Sequence, residues 1–334
     1  MPDRGFAAGT GPTNAGLHRF AVLLAAATLL LVFAGGLVTS TESGLSVPDW
    51  PTTYGYNMFT FPLSKWVGGI RFEHSHRLIA SMVGLLTIVL AVWLQRREDR
   101  GWVRRLGWAA LAIVVAQGLL GGLTVLLFLP PAVSVAHACL AQTFFCVVVT
   151  LAVVTSPRFR ERAPRSFSAT FGANPLARLA AWATGLVYLQ LLVGAIMRHT
   201  KAGLAIPDFP LALGRLVPPL EEFPVAIHFL HRVNAVAIAA VVGVLVARAI
   251  RSRRPGLVRL SLVLGALVLV QIGLGAATVL SRKDVLVTTA HVACGALVLG
   301  TALSFGIGAM SAERRRGNVI PMRPSLSGRA AGWR

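Results

Sequence analysis

The stretch Phe72-Glu73-His74-Ser75-His76-Arg77, at the mouth of a long apolar run, returns later in the chain as Ile227-His228-Phe229-Leu230-His231-Arg232. A second pair obeys the same rule: Ala136-His137-Ala138-Cys139 is echoed by Ala290-His291-Val292-Ala293-Cys294. His231 lies 155 residues after His76 and His291 lies 154 after His137, so one unit occurs twice and keeps register to within a residue. Between them, Gln117-Gly118-Leu119-Leu120-Gly121-Gly122 matches Gln271-Ile272-Gly273-Leu274-Gly275-Ala276 at the same offset of 154. Isolated histidines scattered by chance would not hold that spacing.

What surrounds these histidines decides the solvent. Of 334 residues 55% are hydrophobic and 13% charged, with a mean hydropathy of +0.70, far from a soluble domain of ordinary make-up. A span of about 20 apolar residues crosses the hydrocarbon, and eight such runs are present: 19–39, 78–94, 106–128, 133–154, 176–197, 229–247, 257–280 and 285–310. The net charge of +20 would point to nucleic acid in a soluble chain. Here it gathers in alternate loops, at Arg96, Arg97, Arg100, Arg104 and Arg105, again at Arg158, Arg160, Arg162, Arg165 and Arg178, and again at Arg248, Arg251, Arg253, Arg254 and Arg259. The intervening loops carry mixed charge, so the positive-inside rule puts both termini in the cytoplasm.

The expected fold is therefore an all-α integral membrane protein: eight transmembrane helices arranged as two tandem four-helix bundles, with no nucleic-acid partner. Its divisions are a disordered N-terminus at 1–17, a first repeat at 18–155, a linker at 156–175, a second repeat at 176–310 and a basic tail at 311–334, which includes Arg314, Arg315 and Arg316. The first apolar run is too long for a signal-peptide core and is expected to stay in the chain. Cys139, Cys146 and Cys294 all fall inside spans, so no structural disulfide is expected.

Each repeat also carries a long outward loop. Ser43-Gly44-Leu45-Ser46-Val47-Pro48-Asp49-Trp50-Pro51 is answered by Ala202-Gly203-Leu204-Ala205-Ile206-Pro207-Asp208-Phe209-Pro210, now at an offset of 159. A Pro-Asp turn beside an aromatic residue fits either an interfacial cap or a lid over a ligand site. Gln117 and Gln271, polar in lipid, are expected to hydrogen-bond between helices.

With the N-terminus inside, even-numbered spans enter from outside, and His76, His137, His231 and His291 all sit near the entrance of an even-numbered span. They share one depth near the outer face. Two neutral imidazoles on facing helices, lined by small and apolar residues, suit the axial positions of heme iron. Two histidines alone leave zinc short of ligands. Arg77 and Arg232 follow the entrance histidines and have two readings, pairing with heme propionates or reaching up to lipid headgroups. His74 and His199 lack counterparts and read as interfacial. Glu73 aligns with His228 and shares a helix face with His76. A carboxylate there suits proton transfer or charge stabilisation, or else the helix macrodipole; the difference between the copies favours chemistry in the first half.

On Gly35-Gly36-Leu37-Val38-Thr39, the Ser43 to Pro51 loop, Glu73 with His76-Arg77, His137, His231-Arg232 and His291, the chain resembles the heme A synthase family of cytochrome oxidase assembly proteins over about residues 30–303. The resemblance implies an oxidoreductase that converts the C8 methyl group of heme O to the formyl group of heme A. It also implies heme O as substrate at His76 and His137, heme b as cofactor on His231 and His291, and Glu73 as the catalytic carboxylate. Expected partners are heme O synthase and oxidase assembly factors, with self-association also open, and the expected location is a bacterial inner membrane with the heme sites toward the periplasm. Some members carry a cysteine pair in the outward loops; this chain has none. Two other readings remain open, a diheme b-type electron carrier and a heme transporter.

Overall fold

The computed structural model describes residues 14–164 and 167–311. The basic tail with Arg314, Arg315 and Arg316, Arg165, and the first thirteen residues of the N-terminal segment lie outside the described residues. Eight long helices, α1 (Ala15–Ser40), α2 (Ile70–Arg97), α3 (Gly101–Leu126), α4 (Pro131–Val154), α7 (Pro175–His199), α8 (Phe223–Arg251), α9 (Pro255–Leu280) and α10 (Val285–Ala309), account for most of the chain. Short helices α5 (Pro157–Arg160) and α6 (Phe167–Ala173) fill the expected linker. Among the described residues there is no strand, only isolated bridges in the two outward loops. The long helices run 24 to 29 residues, about 36–44 Å at 1.5 Å per residue, enough to cross a hydrocarbon core of about 30 Å.

Local chemistry sets the ends. Asn14, Asn174 and Asp284 each accept amide hydrogens of the first turn of α1, α7 and α10, while α4, α7 and α9 begin with proline, whose missing N–H costs nothing there. α1 starts at Ala15, ahead of the apolar run, because Asn14 caps it; 15–17 thus belong to a helix rather than to a disordered tail. α2 and α8 begin eight and six residues before the apolar spans, and those extra turns pack beneath the outward loops.

Within each group of four, every helix touches its neighbours and the ring closes: α1 on α4 in the first, α7 on α10 in the second. The groups meet along α1–α10, α4–α10 and α4–α7. Leu24, Val83, Leu90, Leu94, Phe144 and Leu151 fill the first ring, and Val187, Leu245, Leu264, Leu299 and Phe305 the second. Phe145, Val149 and Ala296 form a third cluster at the seam, where the Thr143 hydroxyl also meets the Tyr188 phenol at 2.8 Å. Leu23, Leu85, Leu119, Trp182, Val236 and Leu269 point outward and exposed, the face that hydrocarbon covers. Cys139, Cys146 and Cys294 are free thiols.

At the end opposite the loops' histidines, Glu98 is fully buried between Arg100 (Nε at 2.7 Å) and Arg160 (Nη1 at 2.9 Å), tying the α2–α3 turn to α5.

Candidate functional site

The four histidines sit at one end of the bundle. His76, His137 and His291 are each six residues from the first residue of α2, α4 and α10, and His231 is eight from that of α8, or about 9–12 Å along the axis. In the second ring the His231 and His291 imidazoles face each other with centroids 6.4 Å apart and planes tilted by 57°. In the first ring His76 and His137 lie within electrostatic reach of one another.

Each imidazole rests against a glycine of the preceding helix. A Cβ on Gly35 would stand 3.1 Å from His76 Cε1, on Gly121 3.0 Å from His137, on Gly194 3.1 Å from His231 and on Gly275 3.1 Å from His291. Four ligand candidates thus share one cradle that only a bare backbone fits. Glutamines fix the helices beneath: Gln117 Nε2 donates to the His137 carbonyl and Gln190 Nε2 to the His231 carbonyl, both at 2.9 Å.

These residues fit an iron porphyrin. A metal–imidazole bond is about 2 Å and the ring centre lies roughly 1 Å further, so two imidazoles across one metal have centres about 6 Å apart. The observed 6.4 Å meets that requirement. All four Nδ1 atoms are buried without a hydrogen-bond partner, while Gln117 Nε2 and Gln271 Nε2 stand 3.3 and 3.4 Å from the Nε2 atoms of His137 and His291. Among the described residues no three His, Cys, Asp or Glu side chains converge on a common point. The donor set is therefore imidazole pairs, suited to a metal that brings its own equatorial nitrogens.

Above each pair folds an outward loop, and both loops contain the same turn. Asp49 accepts the Tyr54 and Gly55 amides at 2.7 and 2.9 Å and the Thr52 hydroxyl; Asp208 accepts the Leu213 and Gly214 amides at 2.7 and 2.8 Å. Gly55 and Gly214 take φ of +76° and +73°, values glycine adopts without strain. The Gly214 and Leu213 amides hold Asp208 below the usual carboxylate range. Burial pushes Asp49 up, but its donors from Gly55, Thr52 and Tyr54 outweigh that and leave it low as well.

Arg77 and Arg232, read as partners of heme propionates or of lipid headgroups, both bond the outward loops. Arg77 donates to the carbonyls of Val47, Asp49 and Thr52 at 2.7–3.0 Å, and Arg232 to those of Ile206, Asp208 and Leu211 at 2.8–3.0 Å. Both guanidiniums pin a loop to its helix, because three carbonyls of a tight turn converge on one cation more readily than distant carboxylates do. Glu73 is also drawn into this scaffold: Oε2 accepts the Val47 amide at 2.8 Å and Oε1 pairs with Arg77 at 2.6 Å. Its counterpart His228 accepts the matching Ile206 amide at 3.2 Å. The copies therefore share a holding task, and Glu73 alone adds negative charge.

His74 is not interfacial. It is buried beneath the first loop, its Nδ1 3.1 Å from Thr53 Oγ1, with Phe61 and Trp66 packed on its ring. His199, at the end of α7, lies within electrostatic reach of His137. Sequence reasoning gave the glycines no part in seating the histidines and missed Gln190. The signal for the glycines was present, since Gly35 and Gly194 share the 159-residue offset of the loops and Gly121 and Gly275 the 154-residue offset of the histidines.

Fold and site together define a polytopic helical membrane protein with two histidine-lined rings opening toward the same end. The model of the cytochrome oxidase assembly protein family matches residues 18–68 and 60–303, and the chain belongs to that family. It is similar to the heme A synthase of Halalkalibacterium halodurans, 29% identical over 286 residues covering 82% of this chain and 92% of the relative. The heme A synthase of Symbiobacterium thermophilum is 33% identical over 219 residues, 63% of this chain and 68% of the relative. That of Rhizorhabdus wittichii is 28% identical over 342 residues, 90% and 96% respectively.

Proposed function

We propose that the chain is a heme A synthase of a bacterial inner membrane, oxidising the C8 methyl group of heme O to the formyl group of heme A. His76 and His137 hold the substrate, and His231 and His291 hold heme b as a resident cofactor. The observation that carries this reading is the His231–His291 separation of 6.4 Å, the span two imidazoles need across one iron, in a chain of this family. Two successive hydroxylations of the methyl carbon, each drawing an oxygen atom and a two-electron oxidant from outside the chain, give a geminal diol, and loss of water from it gives the aldehyde. A bound heme b supplies one-electron redox capacity.

The chain's own residues bind, orient and enclose. Gly35 and Gly121 let the first-half rings lie flat against their helices, fixing where the substrate's iron and hence its periphery sit. The Asp49 turn, held by Arg77, closes the outward mouth and limits water. Glu73, one turn from His76, places a carboxylate at that mouth, where it stabilises positive charge and takes up a proton released as the methyl group is oxidised. Both termini lie in the cytoplasm, the two tandem rings open toward the periplasm, and heme O synthase and oxidase assembly factors stand on either side of the reaction.

The test is expression of the full chain in cells that make heme O, followed by extraction and chromatography of the co-purifying porphyrins. Heme A is expected, and Glu73→Ala should abolish it while the low-spin spectrum persists. The matched rings also favour a second reading, a diheme electron carrier, for which only two B-type hemes per chain would be recovered. Loss of the low-spin signal in His231→Ala or His291→Ala, but not in His76→Ala or His137→Ala, separates the two sites; an unchanged spectrum in all four overturns the ligand assignment.

A further inference from the structure

Arg198 lies at this end of the bundle without a carboxylate partner among the described residues. Arg198 stands in the last turn of α7, one turn beyond Gly194 and so on the same helix face, and Gly194 is the residue on which His231 rests. Its Nη2 donates to the Gly36 carbonyl at 3.2 Å and to Ser40 Oγ at 2.9 Å. Ser40 in turn accepts from Thr289 at 3.0 Å, two residues before His291, and Gly36 packs on Thr289 and Val292, which flank His291. The guanidinium is thus tied on one side to the support of His231 and on the other to the turn that carries His291. It lies on the outward side of both rings.

Both acceptors are neutral, and among the described residues no carboxylate comes within 4 Å of it. Five N–H donors with two acceptors leave unused capacity in a half-buried site, and an unpaired cation there is unfavourable. A second group points the same way. Thr288, three residues before His291 and on its face, has a buried hydroxyl with no partner.

We propose that Arg198 and Thr288 bind a propionate carboxylate of the porphyrin held by His231 and His291, and that this ion pair makes the second ring the one that retains its porphyrin. The proposal rests on the heme reading above. The first ring differs where this predicts: Thr39 stands at the position matching Arg198, and its hydroxyl bonds the Gly35 and Gly36 carbonyls. Ser134, matching Thr288, offers a buried and unpartnered hydroxyl, but the position that matches the cation holds Thr39 instead. A ring without the cation suits a porphyrin that must enter as substrate and leave as product.

The test uses the full chain carrying His76→Ala, so that one site is read, isolated from heme-limited cells and titrated with heme B and with heme B dimethyl ester. The free diacid should bind at least about tenfold tighter, the scale of one charge-assisted hydrogen bond. Arg198→Gln should bring the two ligands to nearly equal affinity, and Arg198→Lys, which keeps the charge, should retain part of the preference and decides the matter if the Gln variant does not fold. Equal binding of acid and ester before any change at Arg198, or a preference that survives Arg198→Gln, overturns the proposal and leaves Arg198 a helix staple. Absence of any low-spin complex with either ligand overturns the heme reading itself, and this proposal with it.

Discussion

Glu73→Ala should unfasten the first outward loop far more than the equivalent change unfastens the second. Glu73 and Arg77 side chains are only 5% and 10% exposed, and the carboxylate accepts both the Arg77 guanidinium and the Val47 amide. Truncation leaves the amide without an acceptor, about 1–3 kcal/mol, and breaks a buried ion pair, about 3–5 kcal/mol. Arg77 keeps its three loop carbonyls, so the lower end, about 3 kcal/mol, is the expected loss, or roughly a hundredfold in the loop-opening equilibrium. His228→Ala removes one neutral acceptor from Ile206, about 1 kcal/mol and less than tenfold. Hydrogen exchange read by mass spectrometry on residues 43–69 and 202–222 measures both. Glu73→Gln, which keeps an acceptor oxygen without the charge, should fall between. Wild-type exchange rates around Val47 in Glu73→Ala, or equal loosening in the two loops, would refute this account of how the first loop is held.

Other outcomes follow from the same geometry. Gly275→Ala should push the His291 ring by a few tenths of an ångström and shift the electron paramagnetic signature of a bound low-spin heme; Gly273→Ala, which has open space, should leave it unmoved. Asp208 has its folded-state pKa held below the ordinary carboxylate value by the Gly214 and Leu213 amides, so its contribution is complete above that ordinary value and is lost as pH falls through the depressed pKa; exchange protection of 202–222 should drop only in strong acid, and Asp208→Asn should remove that pH dependence. Glu98→Ala should lower stability in detergent by about 3 kcal/mol, the low end for breaking a buried ion pair, since Arg100 loses its carboxylate while Arg160 keeps Asp99, without altering the spectrum of a heme bound at the far end.

The number of helices, their order and the pairing of the four histidines were legible because hydropathy and a fixed offset carry them directly. How far α2 and α8 extend ahead of their spans, back to Ile70 and Phe223, was not, since those first turns pack against loops and carry no long apolar run. Side-chain direction was the second blind spot. Nothing local to Arg77 says that its partners are Val47, Asp49 and Thr52, some 25–30 residues upstream. The same holds for Glu73: its difference from His228 was legible, but the matching loop amide that each accepts was not. Register tells which residues correspond between copies; it does not tell which acceptor each one finds.

The contact of α1 with α10 bears on how the protein is made. α1 leaves the ribosome well before α10 and finishes with its Gly36 flank against Thr289 and Val292 of that later helix. Until translation ends, that flank faces lipid, and the small residues that later admit a close neighbour leave a shallow furrow open to other chains. Truncation before α10 therefore opens the second ring and bares the α1 and α4 faces of the first, and quality control in the membrane would meet a chain with one half unclosed.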